Sequence, residues 1–319
     1  MAKAPEPILA GVDVSKATLA IAQRTGTLTV DNDTRPIRQW LRTLPKGSSV
    51  ALEATGCYHR LLARLAHQAG CRVFVINGFK LSRYRDSIGG RAKTDATDAR
   101  LILRYLTHEL DQLTPWCPPP KAYERLQGLL RRRTSLVQAR VALKQSLEGL
   151  SELNAVASKV DSQLRDVETL LEQSMREGLK AEGLWTEVKR CQAVEGIGPL
   201  TAMALVNVFQ RGAFRSSDAF IAFLGLDVRV KESGSYSGRR KLSKKGDPAL
   251  RRLLHTAAMT ASRQAGWREY YQSLLARGLK TIQALVIIAR KLARISFALM
   301  KNRTEYRGFN GDSSSCEAT

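Results

Sequence analysis

Cysteine, histidine and acidic residues are all scarce in this chain of 319 residues. The five cysteines (Cys57, Cys71, Cys117, Cys191 and Cys316) are scattered and include no Cys-x-x-Cys pair. The four histidines (His59, His67, His108 and His255) form no ligand cluster. Neither a zinc site nor a disulfide framework is expected. Any metal must then be held by carboxylates, which selects a hard cation such as Mg²⁺ or Mn²⁺. The sequence has no uninterrupted apolar run of about 18 residues, so no membrane span is expected. The opening stretch from Met1 to Pro7 lacks the apolar core of a secretion signal, and a cytoplasmic location is the expectation.

The shortage of acid is the largest of these. Asp and Glu number 29 against 51 Lys and Arg, a formal net charge of +22. Such an excess points to a polyanionic partner, nucleic acid before any other. An anionic membrane would call for an amphipathic helix with an exposed apolar face, and none can be isolated. The hydrophobic fraction of 44% fits a folded protein, and the length suits two domains.

Scarce acids make their placement informative. In the run from Lys93 to Arg100, Asp95 and Asp98 open an apolar helical stretch of Leu101, Ile102, Leu103, Tyr105 and Leu106. Three apart on a helix, they project from one face. Acids in a first turn also suit the helix dipole, so an ordinary helix start is the plainer reading. Two further acids keep them company: Asp13 within the strand-like run Ile8 to Val14, and Glu53 after Ser49 to Leu52. Four carboxylates with no other ligand cluster suit two divalent cations bridging a scissile phosphate. Without a cation such acids repel, and some protonate.

Along the chain, residues 8–30 read as three antiparallel strands. Ile37 to Leu44 reads as a short helix opened by Pro36, Val50 to Leu52 as a buried strand, 57–69 as a helix and Arg72 to Ile76 as a strand. Lys80 to Arg91 is basic and glycine-containing, a mobile loop or short helix. The acidic helix follows at 95–107. Strands joined through helices pair in parallel, so the sheet is mixed. That order is the one seen in the RNase H-like fold, which places carboxylates at the first strand, the fourth strand and a late helix. Thr114 to Pro120 is a linker, since three consecutive prolines cannot continue a helix. From Lys121 to about Leu179, apolar residues at 3/4 spacing predict one or two long amphipathic helices, a coiled-coil arm. The arm serves as a spacer or dimerisation element, or touches nucleic acid through Arg131, Arg132, Arg133, Arg140 and Lys144.

Gly196-Ile197-Gly198 before a helix resembles a helix–hairpin–helix turn, whose open N–H groups can receive a phosphate; any tight helix–helix turn also favours glycine. The densest basic segment follows, with Arg229, Lys231, Arg239, Arg240, Lys241, Lys244, Lys245, Arg251 and Arg252. Within it lies Glu232 to Gly238, read as a flexible hydroxyl-rich loop suited to wrapping a phosphodiester backbone. Its serines are candidate nucleophiles, or simply phosphate ligands. Stretches 249–265 and 279–300 read as apolar helices, and Asn310 to Thr319 as a disordered tail.

Taken together, Gly11-Val12-Asp13-Val14-Ser15-Lys16, Leu52-Glu53-Ala54-Thr55-Gly56 and Lys93 to Ala99 resemble the three signature segments of DEDD transposases. These belong to the insertion-sequence IS-one-ten family, which includes Piv-type DNA invertases. Gly196 to Pro199, Phe223 to Asp227, Ser233-Gly234 and Ser243 to Arg252 agree in order. The resemblance implies a RuvC-like, RNase H-like catalytic domain over 1–113 and a linker with coiled-coil arm over 114–190. A mainly α C-terminal transposase domain over 191–310 and a tail over 311–319 complete the division. It further implies that Asp13, Glu53, Asp95 and Asp98 bind Mg²⁺ and that a serine of the later domain attacks DNA covalently, the acids and the serine forming one composite site. The family's Ser-Gly falls on Ser233, with Ser237-Gly238 a second such pair. Gly196, Gly198, Arg239, Arg240, Lys241, Lys244, Lys245, Arg251 and Arg252 are the expected nucleic-acid contacts. Donor and target DNA, a structured guide RNA and a homodimer or homotetramer are the implied partners, in a prokaryotic, nucleoid-associated setting. A RuvC-type junction nuclease, an unguided invertase and a non-catalytic nucleic-acid scaffold remain as alternatives.

Overall fold

The computed structural model describes residues 6–54, 56–89, 94–212, 214–229, 232–233, 236–237 and 241–309, with backbone alone for Glu232, Ser233, Tyr236 and Ser237. The chain divides into two compact units, Met1–Pro118 and Pro119–Thr319. The division falls inside the proline run.

The first unit is built on five strands: β1 (Leu9–Val14), β2 (Thr18–Gln23), β3 (Gly26–Asp31), β4 (Ser49–Glu53) and β5 (Arg72–Ile76). Their order in the sheet is β3-β2-β1-β4-β5. The first three pair antiparallel, and β4 and β5 run parallel to β1. That mixed sheet has the strand order of an RNase H-like domain, as the sequence leads one to expect. Its helices are α1 (Thr34–Leu41), α2 (His59–Gln68), α3 (Gly78–Ser87) and α4 (Asp95–Glu109). One boundary differs from expectation, and one open alternative is decided in favour of a helix. Asp33 caps α1 through the Thr34 N–H, so the helix begins before Pro36. The basic stretch after β5 is helical because Asn77 caps α3 through the Phe79 N–H.

Alternation along the strands gives the sheet two different faces. On one, Val12, Val14, Leu19, Ile21, Val50 and Leu52 pack with Ile37 and Trp40 of α1 and Leu62 of α2. On the other, residues are small near the centre of the sheet, and α4 lies on them. A Cβ on Gly11 would strike the backbone of Ala99 and Leu103. Ala20, Ala22 and Ala99 complete this contact with Leu103. The helix thus rests on strand backbone, with almost no side-chain cushion. Gly11→Ala is expected to cost about 3 kcal/mol, because helix backbone cannot step aside as a side-chain tip can. Urea denaturation of the full chain checks this; an unchanged midpoint would show that α4 is not held here.

The second unit is mainly helical: α5 (Lys121–Ser146), α6 (Asn154–Ala181), α7 (Trp185–Gln192), α8 (Pro199–Phe209), α9 (Ser217–Phe223), α10 (Pro248–Ala261), α11 (Ala265–Ala276) and α12 (Thr281–Asn302). The long apolar-patterned stretch forms two helices folded back on each other. Arg133 pairs with Glu168 and, at 2.6 Å, Glu172, while Arg140 reaches Asp161 at 3.2 Å. Partners descend as Arg positions ascend, so α5 and α6 run antiparallel. The root of this hairpin is not a free spacer: Leu126, Leu130, Met175 and Leu179 share one core with α7 to α12. Four short strands, β6 (Val228–Arg229), β7 (Glu232–Ser233), β8 (Tyr236–Ser237) and β9 (Lys241–Leu242), lie between α9 and α10.

Candidate active site: an acid cluster and a serine hairpin

The acid cluster follows from register and capping. In the parallel pair of β1 and β4, Val12 stands opposite Leu52. Asp13 and Glu53 are the next residues along, at the C-terminal ends of adjacent strands. By alternation both belong to the α4 face, with Gly11 and Ala51. Thr94 supplies the other half: its side chain accepts from the Thr97 N–H while the Thr97 hydroxyl accepts from the Thr94 N–H. This reciprocal cap fixes the first turn of α4, which carries Asp95 and Asp98. The close contact at Gly11 sets that turn over the end of β1.

The Asp13 carboxyl registers the crowding. Burial, and then the charges of Asp98, Asp95 and Glu53, raise its pKa from 3.8 to about 6, against a lowering hydrogen bond from the Val14 backbone. The expected acids are therefore close enough to act on one another.

The third helix touches two of them. Arg85 Nη2 donates to Asp98 Oδ1 at 2.7 Å, with both side chains largely sheltered. Glu53 lies so close over Gly78, the first residue of α3, that a Cβ there would collide with its carboxylate. Sequence reasoning placed Arg85 in a basic stretch and missed it as a partner of Asp98; no spacing rule links the two. Among the described residues, no three His, Cys, Asp or Glu side chains form a preformed metal-binding group. The acids share a neighbourhood and a field without a closed coordination shell.

In the second unit, the loop read as flexible is a short paired hairpin. Ser233 stands opposite Tyr236, and Glu232 opposite Ser237. The pair β6–β9 brackets it in the sequence, Val228 opposite Leu242 and Arg229 opposite Lys241. Next to β9, Ser243 donates to Asp227 through its hydroxyl, and its N–H reaches the Asp227 carbonyl at 2.8 Å. Gly225 and Gly246 approach backbone to backbone, where a side chain on either would collide. Lys244, two residues before Gly246, takes a left-handed φ of 55°, and Arg251 donates to the Gly246 carbonyl at 2.5 Å. Lys241, Lys244, Lys245 and Arg252 are exposed and Arg251 is half-buried. Arg239 and Arg240, expected contacts for nucleic acid, lie outside the described residues. Gly196 is explained by packing, since a Cβ would strike Ala257 and Ala261 of α10. Gly198 has open space at the start of α8.

Comparison with known families decides what this arrangement belongs to. A family model described as "Transposase", of the DEDD type, matches residues 10–153, and one described as "Transposase IS116/IS110/IS902 family" matches residues 188–272. The chain belongs to the IS110 transposase family. The first match takes in the four acids, and the second takes in the serine hairpin. Among relatives of this IS110 chain, the pilin gene-inverting protein of Moraxella lacunata is 27% identical over 263 residues, 80% of each chain. A probable family 20 transposase of Pseudomonas aeruginosa is 28% identical over 312 residues, 85% of this chain and 89% of its own. Thermus thermophilus RuvC, a solved structure, aligns over 34% of this chain and 99% of its own, at 13% identity and a TM-score of 0.27; the fold assignment rests on the strand order above. Membership makes this transposase an enzyme acting on DNA. Among the described residues, no helix is long and apolar enough to cross a membrane.

Proposed function

We propose that this IS110-family chain cleaves, exchanges and rejoins the strands of its own insertion sequence, with Asp13, Glu53, Asp95 and Asp98 holding Mg²⁺ or Mn²⁺ and Ser233 as nucleophile. The observation that carries the reading is the convergence of four scarce acids, felt at Asp13 as a pKa raised to about 6. A wholly carboxylate donor set suits a hard cation, and the mutual repulsion is what such a cation relieves. Divalent ions bound there would neutralise the phosphate and stabilise the leaving oxygen. An open cluster fits ligands that the ions themselves draw together.

In the proposed step, the Ser233 Oγ–P bond forms as the P–O bond to the departing strand breaks. The serine gives up its proton, and the departing oxygen takes one up. Rejoining reverses this with the hydroxyl of a new strand, so no external energy source is needed. The exposed Lys241, Lys244, Lys245 and Arg252 are placed to hold phosphates next to the hairpin in sequence. A structured RNA from the same element is proposed as guide and a homodimer or homotetramer as the working form. Both come from family likeness. The antiparallel α5–α6 hairpin is the proposed coiled-coil element of that assembly.

The test uses end-labelled DNA spanning the ends of the element, the RNA from its flanks and the full chain. With Mg²⁺, a protein–DNA adduct that survives denaturing electrophoresis is expected; with EDTA it disappears. An adduct that forms equally well in EDTA removes the metal from the reading.

A further inference from the structure

The acid-bearing face of the sheet continues beyond the acids. Asp13 stands opposite Ala20, and Ala20 opposite Thr29 on the edge strand β3. One cross-strand row thus leads from the acids to an exposed threonine, roughly 10 Å away at two strand spacings. The neighbouring row pairs Ala22 with Thr27. Beside the first turn of α4, this face opens as a cleft of about 570 Å³ whose lining includes Thr18, Thr27, Thr29, Thr94 and Asp95. Its lining combines threonine hydroxyls with the apolar Ala20, Leu28 and Ala96, and among the described residues it includes no Lys or Arg. Thr27 and Thr29 are exposed.

We propose that this cleft is a binding site for one phosphodiester strand, guiding it past Thr27 and Thr29 to the acids. The chemistry selects the ligand. Hydroxyls donate to phosphate and sugar oxygens without adding charge. A hydroxyl, unlike a cation, does not form an ion pair with Asp95 and so does not compete with a metal there. Small residues let the strand approach sheet backbone. The cleft is open along the sheet edge, as a continuous polymer requires and an enclosed small-molecule pocket does not. The proposal rests on the metal-site reading of the acids and adds the path of the substrate.

Photo-cross-linking tests it on the unmodified protein. A thymidine-rich single strand carrying 4-thiothymidine is irradiated with the full chain in Ca²⁺, then digested with trypsin. Adducts are expected on the peptide Thr25 to Arg38, which contains both threonines, since trypsin does not cut between Arg35 and Pro36. Thr29→Trp fills the cleft from an exposed position, and it is expected to reduce that adduct about tenfold or more and to slow cleavage by a similar factor. Thr29→Ser retains the hydroxyl and should keep both. Mn²⁺ binding, followed by the paramagnetic resonance of the free ion, should be the same in all three proteins. Adducts confined to the second unit, or full cleavage by Thr29→Trp, overturn the cleft. A wild-type chain that binds no Mn²⁺ overturns the metal-site reading and the cleft with it.

Discussion

Asp13→Asn is expected to abolish strand cleavage, by about 10³-fold or more, while making the metal-free protein more stable. The two effects have one origin. Asp13 is pushed up to about 6 from 3.8 by burial and by Asp98, Asp95 and Glu53. Between those two values the folded protein retains a proton that the unfolded chain has released. Stability therefore falls as pH rises through this window, and at neutral pH the ionised carboxylate is a net cost. Asparagine keeps the shape and removes the charge. At about 1.4 kcal/mol per pKa unit, reduced for partial solvent exposure, the gain is about 1–2 kcal/mol at pH 7. It should vanish near pH 4, where Asp13 is protonated in wild type as well. Urea unfolding in EDTA at both pH values, beside a cleavage assay at pH 7, makes the comparison. A variant less stable than wild type at pH 7, or one that still cleaves, contradicts the role given to this acid. An inactive but stabilised variant is the pattern of a charge held for function at the expense of the fold.

Ser233→Ala should remove the covalent protein–DNA adduct altogether and lower strand exchange by about 10³-fold or more, because no other oxygen takes its place in a transesterification. Divalent metal binding should be unaffected, since the acids and Ser233 belong to separate compact units. Ser237→Ala belongs in the same experiment. Ser233 pairs with Tyr236 across the hairpin and Ser237 with Glu232, so the two serines hold different register positions and are not interchangeable. An adduct that survives Ser233→Ala but not Ser237→Ala transfers the role to Ser237. Cleavage that survives loss of both serines points to metal-activated water, the chemistry of a junction-resolving nuclease. Unimpaired binding with no cleavage by any form, wild type included, would leave a nucleic-acid scaffold.

Much of the first unit was legible because strand periodicity and helix spacing are local properties. Ile8 to Val14 and Arg72 to Ile76 declare themselves as strands, and the apolar rhythm after Asp98 declares a helix. The acids could be proposed as a set because so few acids exist in the chain and these fall at element ends. What gathers them was harder to read. Gly11, a lone glycine inside an apolar strand, was the available signal of a close backbone approach, but its partner lies some ninety positions away, in α4. The Arg85–Asp98 pair depends on how α3 packs beside α4, and neither charge pattern nor spacing records that. The pairing at Ser233 escaped because Gly, Ser and Arg alternate there with no apolar stripe to announce a strand. The arm was half legible: its helices were expected, but their antiparallel return depends on Arg133 and Arg140 meeting acids far along the chain.

The placement of α4 on β1 also has a consequence for synthesis. The strand bearing Asp13 is made well before the helix bearing Asp95 and Asp98, which is the last α-helix of its unit. A contact spanning that separation cannot form until nearly the whole unit has emerged. A chain from which only the strands have emerged therefore carries Asp13 and Glu53 alone, and the acid set is completed once α4 follows, while the second unit is still being made. The full negative charge of the acid cluster is assembled only when α4 docks onto Gly11.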